Sequence, residues 1–218
     1  MQRFSRPLCQ KIPLTREDLH HVHDSLPRPL AHDDLLFLSL LPPGFFDLLR
    51  LGELVQPDSV ALQSCLKISW RHSVTISDSF YQFSIPHSKS DTHFEGDLVI
   101  IQHSHLNPNP LEIFLSYLAC RDLQFNLFPH LWLKANGSPP RRSWFLHRLH
   151  SFFLQSIGSH SMQAGGVTSL AAAGVPPSQI QAIGWWHSAT FERYIHRHPT
   201  LLQAVLFQGR SVHDLPFV

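Results

Sequence analysis

The 218-residue sequence has little cysteine, little charge and no long apolar run, and each shortage closes off a class of function. Its three cysteines, Cys9, Cys65 and Cys120, are far apart and form no C-x-x-C pair. Neither a disulfide framework nor a thiolate zinc site is therefore indicated. A reduced intracellular compartment fits best, the nucleus if the host is eukaryotic. No apolar stretch reaches the ~18 residues of a membrane span, and the start does not read as a secretory signal. Charged residues make up 15% of the chain, well under the roughly 25% of an average soluble domain. A net charge of +1 lacks the basic excess expected of a DNA-binding domain.

What is present is apolar and rich in histidine. A hydrophobic content of 43% suffices for a real core, and the length suits one domain spanning 1–218. The 17 histidines include the groupings His20-His21-x-His23, His103-x-His105 and His196-x-His198. None has the spacing of a zinc signature with cysteines or a general-base glutamate. They read as solvent-exposed loop histidines, and neither a metal nor any other cofactor is expected.

Along the chain, Thr15-Arg16-Glu17-Asp18 is a capping-box-like helix start. An apolar helix follows His32-Asp33-Asp34, and Pro42-Pro43 is expected to break it or to start a new one. Helical periodicity resumes from Phe45 to Leu54. Alternation over Val60–Trp70 and over Val74–Ile85, then the run Val99-Ile100-Ile101, predicts an antiparallel sheet of about three strands. Helices are expected over Leu111–Asp122, Trp144–Ile157, Gln163–Ala173 (ending at Gly174), from Pro176-Pro177 through Ile183, and from about Thr190 toward Phe207. Helices, a small sheet and then helices make an α+β, mainly helical pattern.

Three segments then carry chemistry: Leu48-Leu49-Arg50-Leu51-Gly52-Glu53-Leu54, with the arginine at the end of an apolar helix, Pro86-His87-Ser88-Lys89-Ser90-Asp91 in a turn of the sheet, and a C-terminal block. That block runs His160-Ser161-Met162-Gln163-Ala164-Gly165-Gly166, then Gly184-Trp185, then Tyr194-Ile195-His196. Together they resemble the catalytic domain of tyrosine recombinases, the phage integrase family. The likeness is greatest to transposon-borne members, in which H-S-F-R-A-G-G and L-P-x-S-K-T-D are typical wordings.

The resemblance places the family's first arginine on Arg50, its β-hairpin lysine on Lys89 and the histidine of H-x-x-R on His160. The later His/Trp position falls on Trp185, and the nucleophilic tyrosine nine residues on is Tyr194. It implies an integrase-like catalytic fold acting on double-stranded DNA, in a homo-oligomer (a tetrameric synapse), with no membrane partner. Tyr194 would attack a phosphodiester, leaving a 3′-phosphotyrosine and a 5′ hydroxyl that Lys89 can protonate. Cationic donors would offset the charge gathering on the phosphoryl oxygens.

The sequence departs from the pattern at position 163, where the second arginine is replaced by Gln163. Glutamine lacks both the charge and the bidentate fork. The family's N-terminal core-binding domain is expected to be absent, and the whole reads as a decayed or partial copy. Two functions stay open: DNA strand exchange impaired at Gln163, or a catalytically dead DNA- or protein-binding module of the same fold. Arg141-Arg142 is equally a solvated loop pair or a backbone-phosphate contact.

Overall fold

A computed structural model describes residues 12–64, 68–85, 97–104, 108–153, 157–184 and 186. Lys89, Trp185, Tyr194 and the helix expected from Thr190 lie outside them. In order come α1 (Arg16–Ser25), α2 (His32–Phe46), α3 (Leu51–Leu54), β1 (Thr75–Ile76), β2 (Phe80–Ile85), β3 (Asp97–Gln102), α4 (Pro110–Phe125), α5 (Arg142–Phe152), α6 (Ser161–Ala172) and α7 (Pro177–Ile183). The architecture is α+β and mainly helical, as the element pattern implied.

The helix ends follow local chemistry. Thr15 Oγ1 accepts from the Asp18 N–H at 3.1 Å while Asp18 Oδ2 accepts from the Thr15 N–H at 2.8 Å, a reciprocal cap on α1. Asn109 Oδ1 accepts from the Leu111 N–H, and Pro110 occupies the first turn of α4. Gly174, at φ +78°, closes α6 with Gly174 N–H on the Ala171 carbonyl and Val175 N–H on that of Leu170. That pair of bonds is a Schellman motif.

Helix α2 is the centre, packed against α1, α3, α4, α6 and β3. It runs unbroken through Pro42 and Pro43, contrary to the break expected there. Two prolines deny the Leu38 and Ser39 carbonyls their usual partners, at roughly 3 kcal/mol for each helix-interior proline. They lie in the last turns, and nearly every residue of the helix is buried, so apolar burial offsets that cost. Burial on all sides also explains why the segment shows no amphipathic stripe.

The sheet is antiparallel in the order β1-β2-β3, with Phe83 opposite Val99 and Gln82 opposite both Thr75 and Ile100. Tyr81, Phe83 and Ile85 of β2 and Val99 and Ile101 of β3 face the core. There Tyr81 stacks on Phe114 of α4, ring centroids 3.8 Å apart. Among the described residues of Val60–Trp70, 60–64 and 68–70, the expected strand does not form. Val60–Leu62 is an exposed 3-10 turn, and Trp70 makes only an isolated bridge to His130. Alternation existed there without a partner strand to pair with. The histidines of α1 also depart from expectation. They sit on a helix, and His23 is buried beside Asp24 and Arg28.

Candidate functional site

Arg50 does not end an apolar helix, as its sequence context suggested. It precedes α3, after a short loop leaving α2. Its backbone N–H donates to Glu53 Oε2 at 2.7 Å, and its Nη1 donates to Glu53 Oε1 at 3.0 Å. Glu53 thus caps the helix and aims the guanidinium together, leaving the arginine side chain 44% exposed. Its position three residues after Arg50, in the acidic slot of a capping box, was the available signal for that role.

The loop before Arg50 is held from three directions. Leu48 adopts φ +56°, a left-handed conformation that strains a leucine by roughly 1–3 kcal/mol. Its side chain is enclosed with Val167, Ala171, Ile180 and Trp186 in a second, smaller core. Its carbonyl accepts from Gln163 Nε2 at 2.6 Å. The Leu49 N–H donates to the Pro43 carbonyl at 3.2 Å. Strain at Leu48 is therefore over-determined by packing and hydrogen bonding, and the result is a fixed position for Arg50 two residues on.

Gln163 is 5% exposed on α6, its amide committed to the Leu48 carbonyl rather than presented outward. Position 163 and Arg50 are thereby brought together, with the glutamine serving the loop. Replacing Gln163 by Leu should leave a buried carbonyl unpaired and lower stability by about 1–3 kcal/mol. Urea denaturation measures this directly, and an unchanged midpoint would dismiss the bond as a support.

His160 precedes α6 and is exposed. The turn is built by Ser161, whose Oγ accepts from the Gly158 N–H at 2.9 Å and whose carbonyl accepts from the Leu14 N–H at 2.9 Å. Ser159 Oγ lies 3.3 Å from His160 Nδ1, and Arg142 Nη2 donates to the same Oγ at 2.8 Å. Trp186 is buried, its carbonyl accepting from Gln181 Nε2 at 3.0 Å. Of the six residues selected from sequence, Arg50, His160 and Gln163 are described: Arg50 caps the start of α3, His160 and Gln163 stand at the start of α6, and the Gln163 amide holds the loop that leads to Arg50.

A half-buried acid stands where α2 passes into this loop. Asp47 ends α2, its Oδ2 is shielded from solvent without a hydrogen-bond partner, and burial pushes its carboxyl up to about 7. The phenol of Tyr81, also buried without a partner, is pushed well above its usual value by burial and then by the Asp47 charge. Among the described residues no three His, Cys, Asp or Glu side chains gather as a metal-binding group. None of the described helices is long and apolar enough to cross a membrane.

A helical body around one buried helix, carrying a three-stranded antiparallel sheet, is here the fold of a tyrosine recombinase catalytic domain. Similar solved structures include XerH bound to a palindromic difH substrate after cleavage (16% identity, TM-score 0.62, 90% of this chain and 53% of that one), XerH bound to difH before cleavage (14%, 0.58, 94% and 54%) and XerA recombinase (17%, 0.61, 99% and 68%). The chain thus spans about half the length of XerH. No protein-family profile matches the sequence, and no curated protein does either. At such identities the likeness is one of fold.

Proposed function

We propose that the chain engages double-stranded DNA and cleaves it, with impaired efficiency, through a covalent bond to Tyr194. The observation that carries this is the fold shared with XerH, a site-specific recombinase whose structures hold its difH substrate. The local chemistry supports it, since an exposed guanidinium and an exposed imidazole stand at the starts of α3 and α6. In this reading Arg50 and His160 bind the phosphate oxygens. Tyr194 attacks phosphorus, and Lys89 gives a proton to the departing 5′ oxygen. Trp185 would pack beside the phosphate. Strand transfer of this kind serves integration or excision of a mobile element, in a homo-oligomeric synapse.

A second reading is favoured by Gln163. Its amide holds the Leu48 carbonyl, so position 163 offers the phosphate neither charge nor fork. Losing one neutral oxyanion donor slows catalysis by roughly 10²–10³, and losing a charged one should cost no less. The chain would then bind DNA without turnover. Incubation with nicked duplexes of randomised sequence separates the two. An SDS-resistant protein–DNA adduct absent from Tyr194→Phe is the expected result. DNA binding with no adduct would move the function to the binding module, and no binding at all would remove both.

A further inference from the structure

Position 163 leaves the site short of a cation, yet the fold brings another guanidinium to its His160 end. Arg142 stands at the first turn of α5, exposed, and its Nη2 bond to Ser159 Oγ ties it to the residue beside His160. A guanidinium can only donate, so Ser159 accepts from Arg142 and keeps its own hydrogen for another partner. The nearest acceptor across that bond is His160 Nδ1 at 3.3 Å. With the Ser159 hydrogen directed at it, Nδ1 is the acceptor, and the neutral imidazole then carries its own hydrogen on Nε2. Arginine side chain and imidazole are thus joined through one hydroxyl.

The backbone holds this arrangement against α3. The Gln56 N–H donates to the Pro140 carbonyl at 2.9 Å, and the Arg142 N–H returns to the Gln56 carbonyl at 2.9 Å. Between the two segments opens a groove of about 130 Å³, lined by Gly52, Val55, Gln56, Pro57, Ser64 and Arg142. Gly52 leaves it roomy, since a methyl group there would meet nothing within 4 Å. Of the acids close by, Glu53 is paired with Arg50, and Asp58 accepts from the Ser143 N–H at 3.1 Å. Its carboxyl is held below the usual range first by Ser143 and then by the Arg141 and Arg142 charges. Arg142 is the charged side chain that lines the groove itself.

We infer that Arg142 is a phosphate-binding residue of this site, delivering from α5 a guanidinium that contacts the DNA backbone beside His160. This rests on the DNA reading proposed above. A backbone contact carries no sequence information, so an unknown target sequence does not obstruct the test. Binding of the full chain to a 30-base-pair duplex is followed by fluorescence anisotropy between about 50 and 200 mM salt. Arg142→Gln should weaken binding about tenfold and lower the slope of log K against log salt by about one, alike on unrelated sequences. Arg142→Lys should keep the slope and lose only a few-fold, having lost the fork but not the charge. Arg28→Gln, removing a guanidinium held on His23, serves as the comparison and should leave the slope unchanged. If the wild type binds but Arg142→Gln shares its slope and affinity, Arg142 is no phosphate contact while the DNA reading stands. If the wild type binds no duplex even at the lowest salt, the DNA reading fails and the inference falls with it.

Discussion

Gly166→Ala should destabilise the protein by more than about 3 kcal/mol, the upper end of ordinary overpacking penalties. A Cβ at Gly166 would lie 1.8 Å from the Phe45 carbonyl oxygen and 2.6 Å from Leu48 Cδ2. The first neighbour is backbone at the end of α2 and cannot swing aside like a side chain. Relief requires α6 to move off α2 by more than an ångström, which also pulls Gln163 from the Leu48 carbonyl. Gly165 is equally confined on its other side, with a Cβ placed 1.9 Å from the Leu14 carbonyl oxygen. The paired glycines of the C-terminal block are thus packing requirements, letting α6 pass between the Leu14 segment and the end of α2. Gly52→Ala is the matched control, because it meets open space and should gain roughly 0.5–1 kcal/mol from the removal of a helical glycine. Equal urea midpoints for the two variants would refute the close approach.

Much of the fold was legible because its signals are local. The cap at Thr15 and the Gly174 stop each involve residues a few positions apart, and both were formed as their chemistry dictates. The alternation of Phe80–Ile85 was sound because β1 and β3 lie on either side to pair with it. The same alternation at Val60–Trp70 had no such neighbours, which no period within the segment can reveal. Pro42-Pro43 misled for a related reason. Their cost is local, but the burial that offsets it comes from α4, α6 and β3, far along the chain.

The site was legible as a set of positions and not as a set of directions. Spacing picked out Arg50, His160 and Gln163 as candidates, of which the Gln163 amide holds the loop before Arg50. Spacing carries nothing about a left-handed Leu48, on which the orientation of the Gln163 amide depends. Nor could it show Arg142 reaching Ser159 over seventeen residues of chain. Glu53 was visible beside Arg50, but its double hold on the arginine needed the backbone turn to be seen.

The largest pH effect should come from Asp47. In the folded chain burial pushes its carboxyl from 3.8 to about 7, and no hydrogen bond to Oδ2 offsets that burial. The unfolded chain, with an ordinary carboxyl, releases the proton near pH 4. Between pH 4 and 7 the folded state therefore holds one proton more, so stability falls as pH rises through this window. The contribution is fully present below about pH 4 and lost above about pH 7. A shift of about three units corresponds to about 4 kcal/mol. Tyr81 stays protonated throughout, because its phenol is raised well above its usual value, and adds no slope of its own there. Asp47→Asn removes the titration while keeping the shape. Its unfolding free energy should match the wild type near pH 4 and exceed it by up to about 4 kcal/mol at pH 8, read from urea midpoints across that range. Because Asp47 ends α2 only three residues before Arg50, its ionisation should also disturb the turn that aims the guanidinium. In the wild type, DNA affinity should weaken as pH rises from 6 to 8, and Asp47→Asn should remove that part of the pH dependence. Parallel pH profiles of stability in wild type and variant would place the Asp47 carboxyl in water rather than beneath the loop.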